Sequence, residues 1–261
     1  MDLRRNPFAE LRVGLDATPA AVRRAFEDRL LDDDVPEADL LQAQQKLLAP
    51  RTRLEAEIRW LPGAPVSVVQ TGLADVEPND AVKRTLLASC SGLAAANLAA
   101  HWCHRWPASA SIDPLIACAS SIDIASVVTL LDADRSSAGM APVDRAALPV
   151  ALQRLTEEHA DAAIVALAAL PDEAASDRLR SAVSSSSAGS ARFRFIEIVI
   201  RRFLRRMEPM LGSLEQEVAG LAKRLETDPD DATALSQLAT KLRRWDHILQ
   251  PAQLLDQSKG I

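Results

Sequence analysis

Two histidines and a cysteine stand together in the stretch His101-Trp102-Cys103-His104-Arg105-Trp106, with Cys90 upstream. His101 and His104 are three residues apart, so on a helix they share a face, as a pair of metal ligands must. Cys103 falls on a different face, no His-Glu-x-x-His spacing occurs and no Cys-x-x-Cys occurs. The expectation is therefore core packing by Trp102 and Trp106, with partly exposed histidines and no metal. Serine is abundant, yet the Gly-x-Ser-x-Gly elbow is missing and no motif places a histidine as its base. Neither phosphate-loop pattern, Gly-x-x-x-x-Gly-Lys-[Ser/Thr] or Gly-x-Gly-x-x-Gly, is present. Carboxylate pairs such as Glu157-Glu158 and Asp230-Asp231 suit helix ends and solvated faces. No catalytic residue and no cofactor is assigned, and the chain reads as non-enzymatic.

A different chemistry is written in residues 193–214, FRFIEIVIRRFLRRMEPMLGSL. At 100° per residue, Ile196, Val199, Ile200, Phe203, Leu204, Met207, Met210 and Leu211 fill one arc. Arg201, Arg202, Arg205 and Arg206 fill the opposite one. A basic amphipathic helix of this kind can dock an acidic partner or lie on an anionic membrane surface. It is also a common form of bundle helix with a solvated arginine face.

Composition decides which elements carry these groups. Of 261 residues, 48 % are hydrophobic and only 3 % aromatic, with no tyrosine and nine glycines. A chain dominated by Ala and Leu favours helices over sheets, which draw on β-branched and aromatic residues. The formal net charge of -6 argues against nucleic acid as a partner, because phosphate binding needs clustered positive charge. Three cysteines in apolar helical stretches, and an amino terminus with no apolar leader-like run, read as buried thiols in a cytoplasmic protein. No run reaches the roughly 18 uninterrupted apolar residues of a membrane span.

Periodicity and caps then divide the chain. Thr18-Pro19 opens a helix with Val22, Ala25, Phe26 and Leu30 on one stripe. A second helix spans about 38–49, stopped by Pro50, and a third spans 51–61 before Pro62-Gly63. Residues 64–79 read as a connector with a short extended piece at 66–69. Helices follow over about 80–106, 114–133, 143–159, 160–170 and 171–183, the 160–170 segment apolar enough to be buried all round. Residues 184–191, rich in serine, read as a linker or loop. Long helices at 192–226 and 232–249 end the chain, the last stopped by Pro251.

The first sixty residues resemble a J-domain, the helical module with which co-chaperones engage Hsp70-type ATPases. That family opens on a pattern like Asn-Pro-[Tyr/Phe]-x-x-Leu-Gly-[Val/Leu], and the counterpart is NPFAELRVGLDAT, beginning at Asn6. An aromatic on its second helix packs against the third, as Phe26 can. The third helix closes on Leu-x-[Asp/Asn]-Pro-x-x-Arg, matched by Leu47, Pro50 and Arg53 with Ala49 at the acidic position. The His-Pro-Asp tripeptide of the family is missing: the corresponding loop, LDDDVPEAD, offers Val35-Pro36-Glu37. The resemblance implies docking through Arg23, Arg24, Arg29 and Pro36, with Asp32, Asp33 and Asp34 diluting the basic charge, and no stimulation of ATP hydrolysis. The closing LRRWDHILQPAQLLDQSKG, with Trp245, Asp246, Pro251 and Gln253, is similar to the end of some bacterial J-like proteins that continue as helical bundles.

The reading is thus all-α: a small J-like module (1–63), a connector (64–79), a helical bundle (80–183), a serine-rich linker or loop (184–191) and C-terminal long helices (192–261). The expected function is that of a non-enzymatic co-chaperone or adaptor contacting an Hsp70-type ATPase or related assembly. The alternative is a structural or interaction protein that docks an acidic partner or membrane surface through the Arg201–Arg206 face.

Overall fold

The computed structural model describes residues 1–32 and 35–260, and these are all-helical, with 13 α-helices and no strand among them. Two compact units emerge, Met1–Ala166 and Leu167–Ile261.

The first unit begins with a short 3-10 turn, Leu3–Arg5, and α1, Pro7–Glu10. Asn6 caps α1 by accepting from the Phe8 N–H at 3.0 Å, and Pro7 occupies the first helical position, where a missing N–H costs nothing. Helix α2, Pro19–Arg29, starts as the sequence requires, with the Thr18 hydroxyl accepting from Ala21 N. Helices α3, Glu37–Leu48, and α4, Pro50–Ile58, follow, separated by Ala49 in extended geometry ahead of Pro50.

From here the structure departs from the expected boundaries. The connector holds a helix, α5 (Val66–Gly72), where an extended piece was expected. Val68 and Gly72, one helical turn apart, face inward, and a Cβ on Gly72 would lie 2.8 Å from a Leu98 methyl. Glycine is what lets the two helices approach this closely. The 80–106 segment is two helices, α6 (Asp80–Ala88) and α7 (Gly92–Arg105), because Asn79 caps the first and Ser91 restarts the second. The 114–133 segment likewise divides into α8 (Ile112–Ser120) and α9 (Ile124–Ser137), with Asp123 capping the latter. Conversely, 143–159 and 160–170 join into one helix, α10 (Leu148–Leu167), since no breaker separates them. Its apolar half is not buried all round: Ala160, Ala163 and Ala166 are buried, but Asp161 and Val165 are exposed.

Two clusters form the core of this unit. One gathers Leu3, Phe8, Leu11, Val22, Leu40, Leu47 and Trp60 with Leu98 and Trp102 of α7. The other gathers Leu54 and Ile58 with Leu93, Val127, Leu131, Leu148 and Leu155. Helix α4 feeds both, so residues 1–63 are built into a larger body rather than tethered to it. Each fully buried leucine stabilises by about 1.5–3 kcal/mol, so this shared wall is a substantial part of the fold.

The second unit contains α11 (Asp172–Ser184), α12 (Ala191–Thr227) and α13 (Ala232–Ser258). The serine-rich segment is a loop between α11 and α12 within this unit. Helix α12, at 37 residues, is about 55 Å long. Positions Phe203, Met207, Met210, Leu214, Glu217 and Leu221 alternate in steps of four and three, all but the exposed Glu217 turned at least partly inward, as do Ala234, Leu238, Lys241, Trp245, Ile248, Ala252 and Leu255 on α13. That is the seam spacing of an antiparallel coiled-coil hairpin. A polar pair, Lys241 Nζ to Glu217 Oε2 at 2.5 Å, sits at the seam, and Arg224–Asp231 at 2.7 Å closes the turn. Pro251 does not end α13. It lies inside the helix, buried, where it removes one backbone hydrogen bond.

Candidate functional site

The N-terminal module is positioned by polar bonds that reach between its helices. The Asn6 side chain, besides capping α1, donates to the Ala56 carbonyl at 3.0 Å. Phe8 stacks on Trp60 with ring centroids 6.4 Å apart, and the Arg53 guanidinium lies 5.6 Å from the Phe8 centroid. Arg53 is completely buried and donates to the Leu15 carbonyl at 2.7 Å. Val22, Ala25 and Phe26 turn α2 toward α3, where Leu40, Ala43 and Leu47 meet them.

That packing leaves a solvent face on α2. Arg23, Arg24, Glu27 and Asp28 are exposed on it. Leu31, at the tip of the α2–α3 hairpin, is 84 % exposed, and Pro36, at the cap position of α3, is also exposed. Val35 leans partly against the core. Asp33 and Asp34, part of the acidic run expected to dilute the basic face, lie outside the described residues. Arg29 does not belong to this face: its side chain is 7 % exposed. It donates from Nε to the Glu10 carbonyl at 3.0 Å and from Nη1 to Asp32 at 2.5 Å. Arg29 is a clamp holding the end of α2 to α1, so it is unavailable for docking. Of the residues singled out in this region, the structure brings Arg23, Arg24 and Pro36 to the surface and withdraws Arg29.

Arg201, Arg202, Arg205 and Arg206 lie in the second unit. Arg201, Arg205 and Arg206 are exposed and Arg202 partly so. Arg201 pairs with Glu197 one turn earlier, and Lys259 reaches the same carboxylate at 2.7 Å. These contacts hold the Glu197 carboxyl below its usual range, with the Lys259 hydrogen bond the largest cause.

The histidines and thiols have structural roles. His101 is fully buried, accepts from Leu3 N at 3.3 Å through Nδ1, and is pushed down to about 4 by burial. His159 is fully buried too, and burial pushes it down to about 3. Its Nε2 lies 2.8 Å from Asn97 Oδ1, and Asn97 Nδ2 donates to the carbonyls of Ile58 at 2.7 Å and Trp60 at 2.5 Å. This relay ties the end of α4 to α7 and α10. Burial raises Cys103 to about 12 and Cys90 to about 11, leaving almost no thiolate at neutral pH. Among the described residues no three His, Cys, Asp or Glu side chains are placed to hold a metal ion.

The sequence reading missed Glu57, Asn97, Arg135 and His159. Glu57 takes Arg53 Nε on one oxygen at 2.9 Å and Arg135 Nε on the other at 2.8 Å, all three side chains being buried. The signal for the first pair was present: Arg53 and Glu57 stand at i,i+4 on a short helix flanked by Leu54 and Ile58. Arg135 is far away in sequence, and nothing local marks it.

No family model, no curated protein and no solved structure matches this chain. Among the described residues, no single helix is long and apolar enough to cross a membrane.

Proposed function

We propose that this protein is a non-enzymatic adaptor that docks a protein partner across the solvent face of α2 and the tip of the α2–α3 hairpin. The J-domain resemblance implies an Hsp70-type ATPase, or a related assembly, as that partner. The observation that carries the reading is the backbone at Arg12. It is the one non-glycine residue with positive φ among those described, at 53°. Position 12 is where the J-domain pattern has its glycine, and a left-handed backbone at an arginine costs about 1–2 kcal/mol. The chain thus keeps the turn of that pattern after losing the residue that makes the turn easy. The order of α1 to α4 and the placement of Asn6, Phe8 and Arg53 support the same reading. In a J-like protein of this kind the loop before α3 carries Val35, which has no side-chain donor or acceptor to stand in for an imidazole. Docking without stimulation of ATP hydrolysis is the consequence.

The test is binding to a purified, ATP-loaded Hsp70-type ATPase, read by biolayer interferometry, with single-turnover hydrolysis measured alongside. Binding that is lost in the Arg23→Glu/Arg24→Glu double variant, with hydrolysis at its basal rate, is expected. Absence of binding sinks the Hsp70 assignment. Stimulated hydrolysis that disappears with Pro36→Ala or Glu37→Ala overturns the passive-docking mechanism.

A second docking surface is favoured by the exposure of Arg201, Arg205 and Arg206 on α12. An acidic protein partner fits this face better than a membrane does, because the apolar arc of the same helix is buried, with Ile196, Val199, Ile200 and Phe203 all within 1 % of full burial.

A further inference from the structure

The buried triad of α4 and α9 is short of one negative charge. Arginine stays protonated at neutral pH, so Arg53 and Arg135 bring two positive charges to the single Glu57 carboxylate. The hydrogen bonding is also incomplete. Arg53 Nη1 and Arg135 Nη2 are buried with no partner among the described residues. Arg135 Nη1 reaches the carbonyls of Ala141 and Pro142 through long contacts, each 3.4 Å. A buried charged donor without an acceptor is expensive, so an added acceptor at this site is stabilising.

Arg135 lines a pocket of about 580 Å³ that opens between α4, the loop after α9 and the start of α10. This volume is within the range of small-molecule sites. Leu54, Met140, Pro142 and Val150 give it apolar walls, and Arg51 and Arg154 add positive charge near its rim. Its acids are already engaged: Glu55 pairs with Arg154 at 3.3 Å, and Asp144 accepts from the backbone N–H groups of Ala146 and Ala147.

We propose that this pocket binds a small aliphatic monocarboxylate, whose carboxylate completes the Arg135 guanidinium and whose chain lies on the Leu54–Val150 wall. A carboxylate can replace the long Ala141 and Pro142 contacts with charge-assisted bonds of about 2.7–2.9 Å, which are roughly twice as strong as neutral ones. The apolar wall selects against phosphate and sulfate, and the uncompensated charge selects against alcohols. This inference stands independently of the docking reading, since none of its residues lies on the α2 face.

The experiment is calorimetric titration of the intact protein with hexanoate, with 1-hexanol and inorganic phosphate as comparators. Saturable hexanoate binding, with each comparator at least tenfold weaker, is expected. Arg135→Met removes the charge and should abolish binding. Because that change also strips Glu57 of a buried partner, Val150→Trp is the second variant: Val150 is 53 % exposed, so the indole fills the mouth and leaves the triad intact. Its hexanoate affinity should fall at least tenfold. Hexanoate affinity weaker than about 1 mM, equal binding of hexanol or phosphate, or undiminished binding to the folded Val150→Trp variant each overturns the proposal.

Discussion

Acidification should destabilise the first unit through its two buried histidines, and the size of the effect follows from their burial. His101 and His159 have no exposed side-chain surface, and burial lowers them from 6.5 to about 4 and about 3. Both are neutral in folded and unfolded chains above pH 6.5, where their contribution to stability is complete. As pH falls below 6.5 the unfolded chain takes up protons that the folded chain refuses, so stability drops until the folded values are reached. At pH 5 each histidine is about 1.5 units below 6.5, and each unit is about 1.36 kcal/mol, so each costs about 2 kcal/mol and the pair about 4 kcal/mol. That is a large share of the ~5–15 kcal/mol by which domains are stable. The assay is urea unfolding at pH 7.5, 6.5, 5.5 and 5.0 in a Trp245→Phe background, so that fluorescence reports Trp60, Trp102 and Trp106 of the first unit. Carboxylates complicate the absolute slope: desolvation raises Glu10 and Asp134, which act in the opposite direction. A comparison with His159→Gln cancels them, because glutamine can donate to Asn97 but cannot take up a proton. The variant should lose about half of the pH dependence. An unchanged slope in His159→Gln, or equal stability at pH 7.5 and 5.0, would refute the reasoning.

Asn97→Ala removes the donor to the Ile58 and Trp60 carbonyls and the partner of His159; leaving these buried groups unpaired should cost roughly 3–5 kcal/mol, read as a lower urea midpoint at unchanged slope. Gly72→Ala should destabilise by about 1 kcal/mol, the overpacking against Leu98 outweighing the gain in helix propensity, and Leu98→Val in the same chain should restore part of the loss. Reversing Arg201, Arg202, Arg205 and Arg206 to glutamate should leave the circular dichroism spectrum unchanged, with each exposed site shifting stability by less than about 0.5 kcal/mol, while any acidic partner captured by α12 is lost. Unfolding of that variant would show that the arginines hold the unit together and would remove the second docking surface.

The all-helical fold was determined by the sequence, because its causes are local. An Ala- and Leu-rich chain with few aromatics has little from which to build a sheet, and the caps Thr18 and Asp231 and the breaker Pro50 act on the few residues next to them. The 37-residue α12 was legible for the same reason: its apolar arc repeats at helical spacing without a break. Breaks set by single side chains were less legible. Ser91 and Asp123 restart helices inside apolar runs that periodicity alone reads as continuous. Pro251, which looks like a stop, is tolerated inside α13, since a helix can lose one hydrogen bond where its packing is retained, and Pro251 itself is buried. The proposed docking face was half legible. Arg23 and Arg24 follow from the helical stripe. Arg29 looks the same in sequence, and Asp32 is its local i,i+3 partner, but only tertiary structure brings the Glu10 carbonyl to it and buries it. The charge triad was decided entirely by the tertiary fold. Glu57 and Arg135 are 78 residues apart, and their ion pair exists only because α4 and α9 pack into one core. Sequence records which groups ionise. It does not record which of them will share a low-dielectric interior, and that sharing sets two arginines on one carboxylate with a pocket beside them.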